Sequence, residues 1–366
     1  MPPSSPPRVT LRDVAAELGV SAKTVSNAFT RPDQLSAQLR EQVLATATRL
    51  GYGGPDPLAA GLRRGRVGAI GVAYDNGLSY AFDDPVAVEL LAGVSSVAEP
   101  SGAGLLLIPG SADPDRRTGA VSRALIDGLI ACSLADDDPL LTAALVRRLP
   151  LAVVDQPGPH RLSQLGAAGT PWVGIDDRAA ATAVAGHLLE LGHRRLAVVS
   201  FGLHREPIRR ALVDEAAQAA ATYSVTRHRL AGYRDAARSA GVDWSRVPVF
   251  HGTDSTPDEG ATGAAAVLGT DPRPTALICL SDRLAEGALR AAGRLGLRVP
   301  EDLSVVGFDD AATAARLGLT TVRQPTRSKG EHAARALLDR QEAKDGVHHL
   351  LPTELVPRGS SAPPPP

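Results

Sequence analysis

The chain has 366 residues, of which 43% are hydrophobic and 22% charged, and its formal net charge is −1. A chain of this size can form two or three domains that each bury a core, and its composition excludes a largely disordered protein. It contains neither a run of about 18 apolar residues nor the apolar segment of a signal peptide, so we expect a cytoplasmic protein with no membrane partner.

The two ends and the two cysteines carry little functional information. Residues 1–8 and 361–366 are rich in proline and serine, so we expect both to be disordered tails. Cys132 and Cys279 lie far apart within apolar runs, and we expect both to be small buried hydrophobic residues, not a disulfide or a metal pair.

Three short helices are predicted near the amino terminus. Thr10 and Ser21 can each cap a helix, and Gly19 between them suits a tight turn. A third helix is predicted after Ser36, because apolar residues recur there at helical spacing. These residues are Leu39, Val43, Leu44, Ala47 and Leu50. Residues 9–54 are therefore predicted to form an all-α helix-turn-helix domain.

The second helix carries a row of polar side chains on its exposed face. They are Lys23, Ser26, Asn27 and Thr30. Base edges in the major groove are recognised by hydrogen-bonding groups on such a helix. Between residues 8 and 66, nine Lys or Arg residues stand against five Asp or Glu residues, an excess that suits a phosphate backbone. A two-helix surface hairpin is the alternative, but the third helix favours a DNA-binding domain.

From residue 67 onward, short apolar runs alternate with helical segments. The runs predicted as buried strands are 67–74, 104–109, 127–132, 151–155, 196–200, 275–280 and 303–308. Because strand and helix alternate strictly, we predict parallel sheets covered by helices on both faces. The strands are too numerous for one compact unit of this kind, so two α/β subdomains are predicted.

Several runs resemble, in the same order, the lac-repressor-type (LacI/GalR) family of transcription regulators. VTLRDVAAELGVSAKTVSNAF, LSAQLREQVLATATRLGY and PDPLAAGL are similar to its amino-terminal half, and SDRLAEGALRAAGRLGLRVPEDLSVVGFDD, TTVRQP and LPTELVPRGS to its effector-binding core. The resemblance implies a hinge helix or linker at 55–66 and, at 67–360, a two-lobed α/β core similar to periplasmic binding proteins. One lobe would comprise about 67–174 and 326–343, and the other about 175–325 and 347–360.

The resemblance also implies how the amino-terminal domain would meet DNA. In this family a hinge leucine, here Leu62, is inserted into the minor groove as a wedge, and a plain linker residue is the alternative. Gly61 and the glycines at 53 and 54 weaken a helix, so we expect the hinge to fold only on DNA. The implied DNA-contacting residues are Thr10, Arg12, Ser21, Ala22, Lys23, Ser26, Asn27, Thr30, Tyr52, Ala59 and Leu62.

Candidate effector-binding residues follow from the edge at which parallel strands end. Asp75, Ser281 and Asp309 directly follow predicted strands, and Asp155 ends one. Arg229 is a cation that can bind a pair of hydroxyls, and Tyr80 and Phe82 are among the few rings that can stack on a ligand. Acidic residues at such places also cap helices, which is the alternative for Asp176 and Asp282.

The resemblance places four of these residues where sugar-responsive members of the family bind hydroxyls. They are Asp155, Arg229, Ser281 and Asp309. Ser281 stands where several sugar binders carry asparagine, and aromatic residues make up only 3% of the chain. Both departures weaken the case for a pyranose as the effector.

The sequence favours an allosteric repressor over an enzyme. It lacks the motifs G-x-S-x-G, G-x-x-x-x-G-K-[ST] and H-E-x-x-H, so we expect no catalytic residues, cofactor or metal. We expect a homodimer that binds a pseudo-palindromic operator and responds to a small molecule, a sugar or sugar derivative, held between the lobes. The alternatives are a cytoplasmic small-molecule-binding module whose amino-terminal domain no longer binds DNA, and a sugar-processing enzyme of the same lobed shape.

Overall fold

The computed structural model describes residues 9–54, 66–111, 113–205, 210–339 and 347–366. The chain divides into two compact units, one that ends at Gly68 and one that begins at Ala69. The predicted hinge, with Ala59 and Leu62, lies outside the described residues.

The first unit contains the three predicted helices, α1 (Leu11–Leu18), α2 (Ala22–Thr30) and α3 (Ala37–Leu50), with a 3-10 turn at Pro32–Gln34. Their starts follow the predicted capping chemistry, since Ser21 accepts a hydrogen bond from the Thr24 amide at 3.0 Å. Gly19 adopts a left-handed conformation with φ of 65°, which ends α1 and allows the tight turn. Fully buried residues of all three helices close a small core. They include Val14, Val25 and Val43.

The second unit contains thirteen strands in the part of the chain that the structure describes. They are β1 (Ala69–Tyr74), β2 (Gly104–Ile108), β3 (Gly128–Cys132), β4 (Leu151–Val154), β5 (Trp172–Ile175), β6 (Leu196–Ser200), β7 (Ala211–Leu212), β8 (Val249–His251), β9 (Ala276–Cys279), β10 (Ser304–Val306), β11 (Thr321–Arg323), β12 (His348–Leu351) and β13 (Glu354–Val356). The seven runs predicted as strands are confirmed as β1, β2, β3, β4, β6, β9 and β10. Both cysteines are buried and free, as predicted.

The helices of this unit alternate with the strands. They are α4 (Leu78–Asp83), α5 (Pro85–Ala98), α6 (Pro114–Arg123), α7 (Pro139–Val146), α8 (Pro159–Gln164), α9 (Asp177–Glu190), α10 (Glu215–Ala219), α11 (Ser224–Ser239), α12 (Pro257–Leu268), α13 (Asp282–Arg294), α14 (Ala312–Arg316) and α15 (Thr326–Leu338), with a 3-10 turn at Trp244–Arg246. Four of them begin with proline after a capping Asp or Thr, because proline suits the first helical position. These four are α5, α6, α7 and α12.

Two sheets define two lobes. The sheet of lobe one is parallel and has the strand order β12-β5-β4-β3-β1-β2. The sheet of lobe two has the order β10-β9-β6-β8-β7, in which only β7 is antiparallel to its neighbour. Strands such as β3 and β4 are buried along their whole length, whereas β2 is half-exposed because it forms an edge. The prediction of two α/β subdomains is confirmed.

The carboxyl-terminal segment differs from the sequence expectation. Residues 347–360 are predicted to join lobe two, but β12 pairs in parallel with β5 of lobe one. β13 pairs with β11 in a separate two-stranded sheet, and the chain returns to lobe two only afterwards, where the Val305 amide donates to the Ser360 carbonyl at 2.8 Å. The sequence of β12, which has four residues, does not indicate which strand it pairs with. Its partner β5 is far away in the sequence, and β5 has a free edge only because of how the rest of lobe one folds.

The final residues are held by the protein and do not form the disordered tail that we expect from their composition. The Ala362 carbonyl accepts from Ser304 Oγ at 3.0 Å and lies 2.9 Å from His193 Nε2. Ser361 Oγ lies 2.9 Å from His187 Nε2. Hydrogen bonds of backbone carbonyl and hydroxyl groups fix this segment to lobe two. Amino-acid composition alone does not predict such bonds.

Candidate functional site

The exposed face of α2 carries the predicted base-reading residues. Lys23 is exposed, whereas Ser26 and Asn27 are half-buried. The Asn27 side-chain amide donates to Gln34 Oε1 at 3.1 Å, which orients Asn27 and leaves its own oxygen available. Thr30 donates its hydroxyl hydrogen to the Ser26 carbonyl at 2.9 Å, so this hydroxyl offers DNA only an acceptor.

Other predicted DNA contacts also have structural roles in the amino-terminal unit. The Thr10 amide and hydroxyl both donate to Asp13 Oδ2 at 2.7 Å, and Ser21 caps α2. The Tyr52 ring packs edge-on against Phe29 with 5.8 Å between the ring centres. Arg12 and Ala22 are exposed.

A cavity of about 220 Å³ lies between the two lobes. Six of the seven predicted effector residues line it, namely Asp75, Tyr80, Asp155, Arg229, Ser281 and Asp309. Phe82 does not, and 58% of its side chain is exposed. Tyr80 and Phe82 are two positions apart on α4, which places them on roughly opposite sides of the helix. The ring of Phe201 also lines the cavity, whereas Trp244 lies in the core of lobe two.

Three non-glycine residues that line the cleft have left-handed backbone conformations. The φ angles are 54° at Ser133, 62° at Asp155 and 124° at Asp309. Such conformations cost about 1–3 kcal/mol each and persist where the surroundings enforce them, most often at functional sites. The strain therefore concentrates at the strand ends where the sequence predicts ligand-binding groups.

A buried lysine joins the carboxylates of the cleft floor. Lys329, with 2% of its surface exposed, donates from Nζ to Asp155 Oδ1 at 2.6 Å and to Gln324 Oε1 at 2.5 Å. Gln324 Nε2 in turn donates to Asp309 Oδ1 at 2.6 Å. This chain of bonds connects Asp155 of lobe one with Asp309 of lobe two. Burial raises the pKa of the Asp309 carboxyl well above its usual range.

Arg229 is held more firmly than a freely placed ligand cation would be. Its Nε donates to Asp177 Oδ1 at 2.8 Å and its Nη1 to the Leu280 carbonyl at 2.7 Å. The guanidinium lies 3.5 Å from the ring centre of Phe308, a cation–π contact. The two partners and the ring fix its position at the edge of the cleft, a condition for binding a ligand with a defined orientation.

Ser281 and Asp176 cap helices, whereas Asp282 links neighbouring segments through hydrogen bonds. Ser281 Oγ caps α13 by accepting from the Leu284 amide at 3.2 Å, and it lies 2.6 Å from Ser255 Oγ. The capping alternative is thus correct for Asp176, which caps α9, and wrong for Asp282. Asp282 instead accepts from the Ala311 amide at 2.8 Å and the Thr321 hydroxyl at 2.6 Å. Burial raises the pKa of Asp282 to about 7.

Direct bonds hold the two lobes together across the cleft. The Tyr223 hydroxyl of lobe two donates to Asp75 of lobe one. Arg117, with 1% of its surface exposed, fixes Asp75 from behind through Nη2 to Oδ1 at 2.6 Å and is itself anchored by Asp138. Tyr80 adds a second link, since its hydroxyl donates to the Ser255 carbonyl at 3.2 Å. Hydrogen bonds thus link the two lobes on either side of the cleft.

Sequence reasoning missed Lys329, Arg117 and Tyr223. Each contacts a predicted residue from far away in the chain, with separations of 174, 42 and 148 positions. No local pattern marks the two cations, because each lies in a helix with several other polar residues.

The structure thus defines a class of protein, a helix-turn-helix domain followed by a two-lobed binding core. The model for bacterial regulatory proteins of the lacI family matches residues 10–54, and the model for the periplasmic binding protein-like domain matches residues 185–361. The HTH-type transcriptional regulator Rv3575c of Mycobacterium tuberculosis is 45% identical over 367 residues, with both chains covered completely. The chain belongs to the LacI family of transcriptional regulators.

Two solved structures resemble the chain over nearly its whole length. The lac repressor dimer bound to operator and the anti-inducer ONPF has a TM-score of 0.74 and 26% identity, covering 97% of this chain and 100% of that one. The complex of the transcriptional regulator CelR with cellobiose has a TM-score of 0.67 and 29% identity, covering 96% and 100%. Among the described residues, no helix is long and apolar enough to cross a membrane.

Proposed function

We propose that this regulator is a homodimeric repressor whose affinity for operator DNA is controlled by a carbohydrate or related polyol in the cleft. The observation that carries the proposal is the cavity between the lobes, at which strained carboxylates converge from both sheets. The CelR structure holds cellobiose, and the lac repressor structure is a dimer on its operator. Both arrangements suit the fold of this chain.

The residues have distinct proposed roles. Lys23, Ser26 and Asn27 read base edges on a pseudo-palindromic operator. Ala59 and Leu62 contact the minor groove, a proposal that rests on the family resemblance alone. The remaining proposed DNA contacts bind phosphates or orient α2 in the major groove, and so position residues 9–54 on the DNA. They are Thr10, Arg12, Ser21, Ala22, Thr30 and Tyr52.

The proposed mechanism is linkage between the cleft and the DNA-binding unit. A ligand bound by residues of both lobes favours one relative orientation of the lobes, and it alters DNA affinity only through its different affinities for the two states. Such coupling amounts to about 1–3 kcal/mol, or roughly 5–150-fold in affinity. Asp75, Asp155, Arg229, Ser281 and Asp309 are the proposed effector contacts, with Tyr80 as a stacking ring.

The test begins with thermal unfolding of the full-length protein against a panel of sugars, polyols, sugar phosphates and nucleobases. A ligand at a hundred times its dissociation constant should add about 2.7 kcal/mol of stability. Asp155→Asn keeps an acceptor for Lys329 and should remove the shift, whereas Asp115→Asn on the exposed start of α6 should keep it. A stabilising compound should then change the affinity for an operator selected from random DNA.

The outcome that contradicts the proposal is clear. If the protein binds its selected operator and no compound in the panel changes either its stability or its DNA affinity, control by a carbohydrate is wrong. If Asn27→Ala weakens binding to all sequences equally, instead of relaxing the preference at one or two positions, Asn27 does not read a base.

A further inference from the structure

A second cavity, of about 320 Å³, adjoins the cleft. Six residues line both cavities, so they mark the boundary between the two cavities. They are Asp75, Asn76, Gly202, Tyr223, Thr253 and Asp254. The hydrogen bond from the Tyr223 hydroxyl to Asp75 lies at this boundary and connects the two lobes. We call this second space the outer chamber.

The outer chamber differs from the cleft in its chemistry. The cleft carries the acceptor carboxylates Asp155 and Asp309, whereas the outer chamber is lined by Arg205, His204 and His251 instead. Arg205 and His204 are half-buried, and within the described ranges neither has an ion-pair partner. Their donor groups are therefore available to a ligand.

His251 provides a second, independent observation. It is 2% exposed, and its Nδ1 accepts from the Leu203 amide at 3.3 Å, which leaves the hydrogen of the neutral ring on Nε2. Among the described residues Nε2 makes no hydrogen bond of normal geometry, and the ring has only a weak interaction with the Phe201 backbone. A buried donor that is poorly satisfied is costly and commonly marks a place where a ligand or water completes the bonding.

The two carboxyl groups at the boundary do not make the chamber acidic. Asp75 is already paired with Arg117 at 2.6 Å, and Asp254 accepts from Asn76 Nδ2 at 3.4 Å. Burial raises the pKa of both carboxyls. The ion pair with Arg117 compensates the charge of Asp75, which reduces its repulsion of an incoming anion.

We propose that the outer chamber binds an anionic oxygen group, a phosphate monoester or a carboxylate, carried by a polyhydroxylated effector whose hydroxyls lie in the cleft. The proposal that the effector carries hydroxyls rests on the proposed function, whereas the proposal of an anion site in the outer chamber does not. Arg205 supplies the charge, and His204 and His251 supply ring N–H donors. The effector is then a two-ended molecule, with hydroxyl donors at one end and anionic acceptors at the other.

The test uses simple anions and the full-length protein. Orthophosphate and acetate are titrated separately by calorimetry, which distinguishes the phosphate from the carboxylate. We expect saturable binding of one anion per chain for at least one of them. Arg205→Gln should weaken it about ten-fold or more, the loss expected for one charge-assisted hydrogen bond. Arg246→Gln, at an exposed position that lines neither cavity, is the matched control and should leave binding unchanged.

If Arg205→Gln unfolds at a lower temperature than the parent protein, His204→Gln serves as a second variant. It should also weaken anion binding. The proposal is overturned if neither anion binds saturably to the parent protein, or if the two chamber variants bind as the Arg246→Gln control does. Because the titration needs neither sugar nor DNA, its result stands whether or not the carbohydrate panel finds an effector.

Discussion

At the scale of single residues, the cleft is organised by buried cations that hold acidic groups in place. Lys329 fixes Asp155, and Arg117 fixes Asp75. Removing one partner of such a pair leaves an uncompensated charge in a dry environment, which is far costlier than the pair is stabilising. The cations therefore position the carboxylates for a ligand more than they stabilise the fold.

Asp282 should give stability a pH dependence opposite to that of most carboxylates. Its pKa is raised to about 7 in the folded protein, compared with about 3.9 in an unfolded chain. Between these values the folded state holds a proton that the unfolded state has released. Its contribution is thus present below this range and is lost as the pH rises through it. We expect Asp282→Asn, which mimics the protonated carboxyl, to flatten the decline in the urea midpoint between about pH 4 and pH 7.

Asp115→Asn, a change of the same type at an exposed position, serves as the control and should keep the parental slope. Parallel profiles for the parent and Asp282→Asn would show that Asp282 is ionised in the folded state throughout this range.

At the scale of elements, α12 and α13 pack so closely that they meet at glycines. A Cβ atom at Gly287 would lie 1.9 Å from the Pro257 carbonyl oxygen, and one at Gly260 would lie 2.1 Å from the Leu284 carbonyl oxygen. Backbone cannot move aside as a flexible side chain does, so these contacts fix the distance between the helices. A similar approach occurs in lobe one, between α5 and α15.

Gly287→Ala should lower the free energy of unfolding by about 1–3 kcal/mol, because the added methyl forces the helices apart. Gly293→Ala is a matched control on the same helix, since a Cβ there would have no neighbour within 4 Å. We expect the control to be neutral or to stabilise by up to about 1 kcal/mol, because alanine favours the helix. Urea unfolding measures both, and equal effects would contradict the close approach.

The sequence predicts elements well where the signal is local. The helix starts at Ser21 and Ser36 follow from capping chemistry within three residues, and apolar runs identify most strands. β5 and β8 are not among the runs predicted as strands, and β12 is assigned to the wrong lobe because its partner is a strand far away in the sequence. In the cleft, the acids at strand ends are predictable, whereas the cations that fix them are not.

At the scale of the whole molecule, polar contacts across the cleft help to hold the two lobes of the core together. Tyr223→Phe removes the hydroxyl that bonds Asp75 across the cleft. A hydrogen bond to a charged group contributes about 1.5–3 kcal/mol, so the open arrangement of the lobes should become more populated. We expect faster amide hydrogen exchange at residues 75–77 and 253–255, which face each other across the cleft.

Tyr233→Phe is the control for this prediction. It is the same substitution ten positions later, on α11, and its hydroxyl is buried without a hydrogen-bond partner in the described part of the molecule. It should leave exchange at the cleft unchanged. If both variants exchange alike, the Tyr223 contact does not hold the lobes together.

The anchoring of the carboxyl-terminal segment also bears on proteolysis. Residues 355–360 read LVPRGS, a sequence that thrombin cuts when the peptide is extended and accessible. Here Arg358 donates to the Leu319 carbonyl at 2.8 Å and to Asp310 Oδ1 at 2.6 Å, and Ser360 is 3% exposed. A protease needs this segment to detach before it can engage the bond, so the cutting rate follows the local opening of the segment. The rate at which thrombin cuts this segment therefore measures how often the segment detaches from lobe two.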